Sequence, residues 1–155
     1  PGFFLFPAGA RYTRSAMLPG KRRPKGQSPA RMSRRPLAGI VSLGCSKNPV
    51  DTEFIMGGMA AEGWGFTAAR EGADLLLINT CSFLDASVEE ADEAIAEGLV
   101  WKKARPGALL VVAGCLVSRF GRELDGRYPG VDLFLMTGQI PRLSEWISLS
   151  PPRPR

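Results

Sequence analysis

The sequence predicts an α/β domain built on an open, mostly parallel sheet with helices on both faces. Apolar runs of strand length alternate along the chain with amphipathic runs of helix length from Leu37 onward. The strongest of the apolar runs are continuous rather than alternating, as in strands that are covered on both faces. The 155 residues, 45% hydrophobic and 23% charged, fall within the composition range of one globular domain.

Five runs are predicted as strands, and the second of them is weak. The predicted strands cover residues 37–43, 65–68, 73–79, 109–114 and 131–135. No apolar run reaches the 18 residues that a membrane-spanning helix requires, so we expect a soluble protein without a membrane partner.

The first predicted helix follows the first strand, with Asn48 as its N-cap, Pro49 at the first helical position and Asp51 in the first turn. A proline costs nothing there, and a carboxylate is stabilised by the positive end of the helix dipole. Its inward face is predicted to consist of Val50, Phe54, Ile55 and Met59.

The second helix is predicted from Asp85 to about Lys103, with acidic residues early and basic residues late, as the helix dipole favours. Apolar residues spaced by three or four form its inward face, namely Val88, Ala91, Ile95 and Leu99. A third helix is predicted from Cys115 to about Asp125, and a short last one over residues 141–147.

Positive charge is concentrated at the start of the chain. Residues 1–39 hold nine Lys or Arg and no acidic residue, whereas the remainder carries a net charge of −4. This distribution argues against a nucleic-acid partner for the domain. We expect a disordered basic leader at residues 1–36, with the natural start near Met32, then one domain at 37–150 and an unstructured tail at 151–155.

Three cysteines carry the main chemical signal, because the sequence contains no histidine. Cys45, Cys81 and Cys115 each come at or just after the carboxyl end of a strong predicted strand. Such strand ends lie along one edge of a parallel sheet, where ligand sites form. We therefore expect the three thiols to converge, although a single free cysteine is more often simply buried.

Three thiolates suit a soft metal, which leaves an iron-sulfur cluster or zinc as the candidates. A structural zinc site normally takes a fourth protein ligand, whereas a 4Fe-4S cluster on three cysteines keeps one iron open. A non-catalytic thiol or zinc-binding module remains the alternative. The odd cysteine number favours a reducing, cytoplasmic location over a disulfide framework.

Three segments resemble the motifs of the radical S-adenosylmethionine methylthiotransferases, in the family's order. They are residues 41–53 (VSLGCSKNPVDTE), 79–87 (NTCSFLDAS) and 114–120 (GCLVSRF). The similarity extends over about residues 37–147, which corresponds to the family's flavodoxin-like N-terminal domain. It is closest to the branch that methylthiolates an aspartate of a small-subunit ribosomal protein, S-twelve, and a tRNA-modifying enzyme is the alternative.

The resemblance implies that Cys45, Cys81 and Cys115 ligate a 4Fe-4S cluster whose open iron takes part in sulfur transfer. It assigns no further catalytic residue. In the family, a second 4Fe-4S cluster and S-adenosylmethionine belong to a radical domain that follows. This chain lacks the Cys-x3-Cys-x2-Cys motif of that domain and the C-terminal substrate-binding module. We therefore expect that it belongs to a family of enzymes but needs a radical domain in cis for activity.

Overall fold

The computed structural model describes residues 35–44, 47–143 and 146–147. Residues 1–34 of the expected leader, the expected tail and Cys45 lie outside these described residues. The last two residues of the expected leader, Arg35 and Pro36, are described, and both form hydrogen bonds with residues 63–65. Five parallel strands form one sheet in the order β2-β1-β3-β4-β5. The strands are β1 Leu37–Ser42, β2 Gly65–Phe66, β3 Leu75–Thr80, β4 Leu109–Gly114 and β5 Leu133–Met136.

Four α-helices and two short 3-10 helices connect the strands in the described part of the chain. The α-helices are α1 Lys47–Ala61, α2 Asp85–Lys103, α3 Cys115–Phe120 and α4 Glu123–Arg127; the 3-10 helices are Arg70–Gly72 and Thr137–Arg142. The predicted fold class is confirmed, with each predicted strand present and its ends moved by two residues or fewer. Within the described residues, no helix has both the length and the apolar character needed to cross a bilayer.

The strand order reverses between β1 and β3. From β1 the chain continues to β2 on one side, and then crosses to β3 on the other side. The register pairs Ser42 with Asn79 and Thr80 with Gly114, so the carboxyl ends of β1, β3 and β4 lie level. Ligands of open α/β sheets bind at such a reversal.

The core has two layers because the sheet is covered on both faces. All six residues of β3 are buried, and its side chains alternate between the two layers. Leu75 and Leu77 pack with Ile55 and Met59 of α1 in the first layer. In the second layer, residues of the opposite face pack against α2, α3 and α4, which confirms the inward face predicted for α2.

The inward face predicted for α1 is half wrong. Ile55 and Met59 are buried, but Val50 and Phe54 are 64% and 62% exposed. The inward stripe instead begins with Asn48 and Thr52 and continues to Ile55 and Met59, at helical spacing. Its first two members are polar and form hydrogen bonds, so an apolar pattern could not reveal them.

Two helix ends also differ from the prediction. The helix expected from Cys115 to Asp125 is divided into α3 and α4 by Gly121, whose φ of +53° ends α3. In the last predicted helix, Pro141 lies in the 3-10 helix Thr137–Arg142, and only residues 143, 146 and 147 of the remainder are described, as helical.

Candidate functional site

Two of the three predicted ligands lie at the carboxyl edge of the sheet, after neighbouring strands. Cys81 directly follows β3 and is 2% exposed, and Cys115 is the first residue of α3, directly after β4, and is partly buried. Cys45 is outside the described residues, but Gly44 beside it is described. Without Cys45, the described residues include no group of three Cys, Asp or Glu arranged to hold a metal.

Gly44 brings the chain that leads to Cys45 directly against Cys81. A Cβ atom on Gly44 would lie 2.2 Å from the Cβ and 2.9 Å from the Sγ of Cys81, closer than any side chain permits. The φ of Gly44 is +84°, a conformation that glycine adopts without strain. Only glycine therefore allows the β1–α1 loop to approach the buried thiol this closely.

Gly114 makes a similar approach one strand further along the sheet. Its φ is +105°, and a Cβ there would lie 2.4 Å from the Thr80 carbonyl oxygen and 2.8 Å from Asn79 Oδ1. The residue before Cys115 thus packs on the two residues before Cys81. The close contacts of both glycines are therefore with residues at the end of β3.

Asn48 and Asn79 connect the same strand ends by hydrogen bonds. Asn48 Nδ2 donates to the carbonyl oxygens of Leu43 and Asn79, the second at 3.4 Å. Asn79 Nδ2 donates to the carbonyl oxygen of Asn48 at 3.3 Å and to Thr52 Oγ1 at 3.1 Å. The prediction that Asn48 caps α1 is wrong, because α1 begins at Lys47 and the Asn48 amide donates to the strand side.

Thr137 lies beside Cys115, and two side chains of α3, Ser118 and Arg119, connect this strand end to its neighbours. Thr137, which follows β5, has its Oγ1 4.0 Å from the Sγ of Cys115 and 3.2 Å from Ser118 Oγ. Ser118 Oγ donates to the Gly114 carbonyl oxygen at 3.2 Å and accepts from the Thr137 backbone at 3.0 Å. Arg119 Nη1 donates to the Ser82 carbonyl oxygen at 3.0 Å.

Sequence reasoning missed Thr137 and Arg119, although Thr137 carried a signal. It occupies the same position after β5 that Cys81 and Cys115 occupy after their strands. Arg119 carried no such signal, because its reach across to the loop after β3 depends on how α3 packs.

Large apolar side chains are exposed on both sides of this edge. Val50 and Phe54 lie in the first turns of α1, shortly after Cys45, and Phe83 and Leu84 follow Cys81. Phe83 is 84% exposed and Leu84 60%. These four residues are called here the apolar rim. Large exposed apolar groups near one site commonly mark a contact surface.

The sequence matches the model of "Uncharacterized protein family UPF0004" over residues 38–136, the segment that contains the sheet and all three cysteines. It is 44% identical over 111 residues to "Ribosomal protein uS12 methylthiotransferase RimO" of Dictyoglomus thermophilum, covering 72% of this chain and 25% of that protein. The proteins of the same name from Symbiobacterium thermophilum and Carboxydothermus hydrogenoformans are 41% and 43% identical over 77% and 70% of this chain.

The chain spans about a quarter of the length of these curated relatives. The matched segment coincides with the five-stranded domain and its cysteine-bearing strand ends, as the three sequence motifs predicted. The chain therefore belongs to the UPF0004 family and is an N-terminal domain of the methylthiotransferase type.

Proposed function

We propose that this domain holds a 4Fe-4S cluster on Cys45, Cys81 and Cys115 as part of a ribosomal protein methylthiotransferase. The observation that carries the proposal is the placement of Cys81 and Cys115 after adjacent strands, with the loop to Cys45 packed on Cys81 through Gly44. Three cysteine positions thereby belong to three neighbouring strand ends at the reversal of strand order.

The residues present fit such a cluster in their chemistry. Thiolates are the usual protein ligands of iron-sulfur clusters, and this sequence has no histidine to complete a typical mixed zinc site. Asn79 Oδ1 is buried without a hydrogen-bond partner at the same edge, and a polar atom left in this state calls for a functional explanation. When bound, the cluster would supply an iron without a protein ligand, at which the sulfur to be transferred can bind.

The chain's own residues would hold and shield that group. Cys81 is 2% exposed, so this ligand is shielded from water. The shielding would protect its thiolate-iron bond from exchange. The Thr137 hydroxyl lies beside the Cys115 sulfur and can donate a hydrogen bond to it when that sulfur is a ligand. Arg119 fixes the backbone that follows Cys81 through the Ser82 carbonyl oxygen.

The remaining chemistry would come from polypeptide beyond this domain. S-adenosylmethionine and a second 4Fe-4S cluster are assigned to a radical domain in cis, and we propose the apolar rim as the surface that it covers. Covering Val50, Phe54, Phe83 and Leu84 would remove their side chains from water, which is favourable. A reducing cytoplasm, which keeps cysteines as free thiols, suits this ligand chemistry.

The proposed substrate is an aspartate of ribosomal protein uS12, because the relatives carry that protein in their names. tRNA is the alternative substrate that the sequence left open. Mass spectrometry of uS12 and of tRNA nucleosides, from cells with and without the gene, separates the two. A methylthio group missing from tRNA alone would overturn the ribosomal assignment.

Anaerobic reconstitution of the 155-residue chain with iron and sulfide tests the cluster. We expect about four irons per chain and a brown protein with the absorption of a 4Fe-4S cluster. Replacing Cys45, Cys81 or Cys115 by Ser should each remove most of the iron, whereas Ser82→Ala, beside Cys81, should retain it. Full iron content in any cysteine variant, or stoichiometric zinc instead of iron, would contradict the proposal.

A further inference from the structure

We infer that Asn79 and Asn48 are positioning residues that hold the loop carrying Cys45 against the strand ends carrying Cys81 and Cys115. The inference rests on the proposed function and assigns a role to two side chains that are not ligands. It follows from an unusual arrangement at the reversal of strand order, where two buried amides bond to each other's backbone.

The two amides form a reciprocal bridge between the β1–α1 loop and β3. Each Nδ2 group donates to the main-chain carbonyl oxygen of the other residue. Asn48 also binds the Leu43 carbonyl oxygen, and the Leu43 backbone donates to the Asn79 carbonyl oxygen at 2.9 Å. The residues that flank Cys45 on both sides, 43 and 48, are therefore both attached to Asn79.

The orientation of the Asn79 amide is fixed by its neighbours. Its Nδ2 faces the Asn48 carbonyl oxygen, which can only accept, and Thr52 Oγ1, which itself donates to Ser42 Oγ at 3.0 Å. The Oδ1 atom is left facing Gly114, the residue before Cys115, without a hydrogen-bond partner. From its place before Cys81, this side chain thus contacts the segment that follows Cys45 and the residue that precedes Cys115.

Both side chains of this bridge are buried. Asn48 is 2% exposed and Asn79 is completely buried. A buried amide that loses its partner destabilises the fold, since no water replaces the bond. The Asn79 Oδ1 atom already lacks a hydrogen-bond partner. Stability alone therefore does not explain why a polar side chain is present at this buried position. Groups that orient ligands in metal sites show this combination of burial and strict geometry.

The opposite edge of the same strand pair provides a matched control. Asp74, directly before β3, is 7% exposed and accepts a hydrogen bond from the Leu37 backbone at the start of β1. Asp74 therefore joins β1 to β3 as Asn79 does, but at the amino edge, away from the cysteines. A purely structural bridge should behave alike at both edges.

The experiment compares Asn79→Ala, Asn48→Ala and Asp74→Ala after anaerobic reconstitution of the full chain. All three should lower the apo-protein's melting temperature in circular dichroism. Only the two asparagine variants should lose iron to a chelator faster than the unaltered chain, by about 10-fold or more. They should also be the only variants with an altered electron paramagnetic resonance spectrum. Thr52→Val and Thr52→Ser form a milder pair, of which Ser should preserve the iron retention because it preserves the hydroxyl group that accepts from Asn79.

Each outcome separates this inference from the proposed function. An unaltered chain that binds no iron would overturn the proposed function itself. Normal iron retention and spectra in the asparagine variants, with only a lower melting temperature, would overturn the positioning role. If both asparagine variants fail to fold, the Thr52 pair decides, and equal iron retention in Val and Ser would overturn the inference.

Discussion

Replacing Gly44 by Ala tests how closely the β1–α1 loop approaches the buried thiol of Cys81. The new Cβ would lie 2.2 Å from Cys81 Cβ, whereas carbon atoms in favourable contact are about 3.5–4.0 Å apart. Gly63 offers a matched control, because its φ of +89° is close to the +84° of Gly44 and no atom lies within 4 Å of its Cβ position. Both glycines are exposed.

The difference between the two variants isolates the contact. A left-handed backbone costs an alanine about 1–2 kcal/mol, and this cost is common to both positions. Forcing an extra methyl group into a packed site costs about 1–3 kcal/mol more, and this cost applies only at Gly44. We therefore expect Gly63→Ala to lower the free energy of unfolding by about 1–2 kcal/mol and Gly44→Ala by about 2–5 kcal/mol.

Urea unfolding of the apo-protein, followed by circular dichroism, measures both values. Iron content after reconstitution is the second readout, and we expect it to fall in Gly44→Ala but not in Gly63→Ala, because only the former displaces Cys81. Equal destabilisation in the two variants would refute the close approach of Gly44 to Cys81. Lower stability with unchanged iron would refute the link between that approach and the cluster.

Two predictions concern positions away from the cysteines. Gly58 lies in α1, is exposed and has open space at its Cβ position, so Gly58→Ala should raise the free energy of unfolding by about 1 kcal/mol in urea titrations. A decrease would show that α1 needs glycine there. Burial, together with a hydrogen bond to Asp92, raises the pKa of Tyr128 from 10.0 to about 12, although Arg127 partly opposes this. The fold holds that proton more tightly than the unfolded chain, so the associated stability is complete below pH 10 and is lost as pH rises toward 12. Unfolding free energies in this range should fall less steeply for Tyr128→Phe, and equal slopes would contradict the assignment.

The order of strands and helices could be predicted because each buried strand is a continuous apolar run. Fully buried strands such as β3 need apolar residues on both faces, which leaves a local signal that does not depend on the rest of the fold. The position of Cys81 and Cys115 at one edge then followed from parallel topology alone. The strand order itself, with β1 between β2 and β3, requires pairings that no local pattern encodes.

The asparagine bridge was beyond sequence reasoning for a different reason. Asn48 before Pro49 has the local features of a helix N-cap, and that interpretation is sufficient when only neighbouring residues are considered. Its actual partners include Asn79, which is 31 residues away, so the tertiary contact replaces the local one. Polar residues buried at a strand end give no periodic signal, and they are found only when the fold brings them together.

The exposed side of α1 shows which assumption failed. The prediction placed Val50 and Phe54 on the face toward the domain's own core, yet both point away from it. Val50 and Phe54 cannot face the sheet as well, because the side of α1 that faces the strands is already occupied by Asn48, Thr52, Ile55 and Met59. Phe83 and Leu84 are exposed beside the same edge, although the loop between Cys81 and α2 could have carried polar residues at no cost to folding. In the proposed enzyme these four positions are better explained by a contact with the rest of the polypeptide than by the stability of this domain, since burying them there would add favourable apolar area that the isolated domain does not gain.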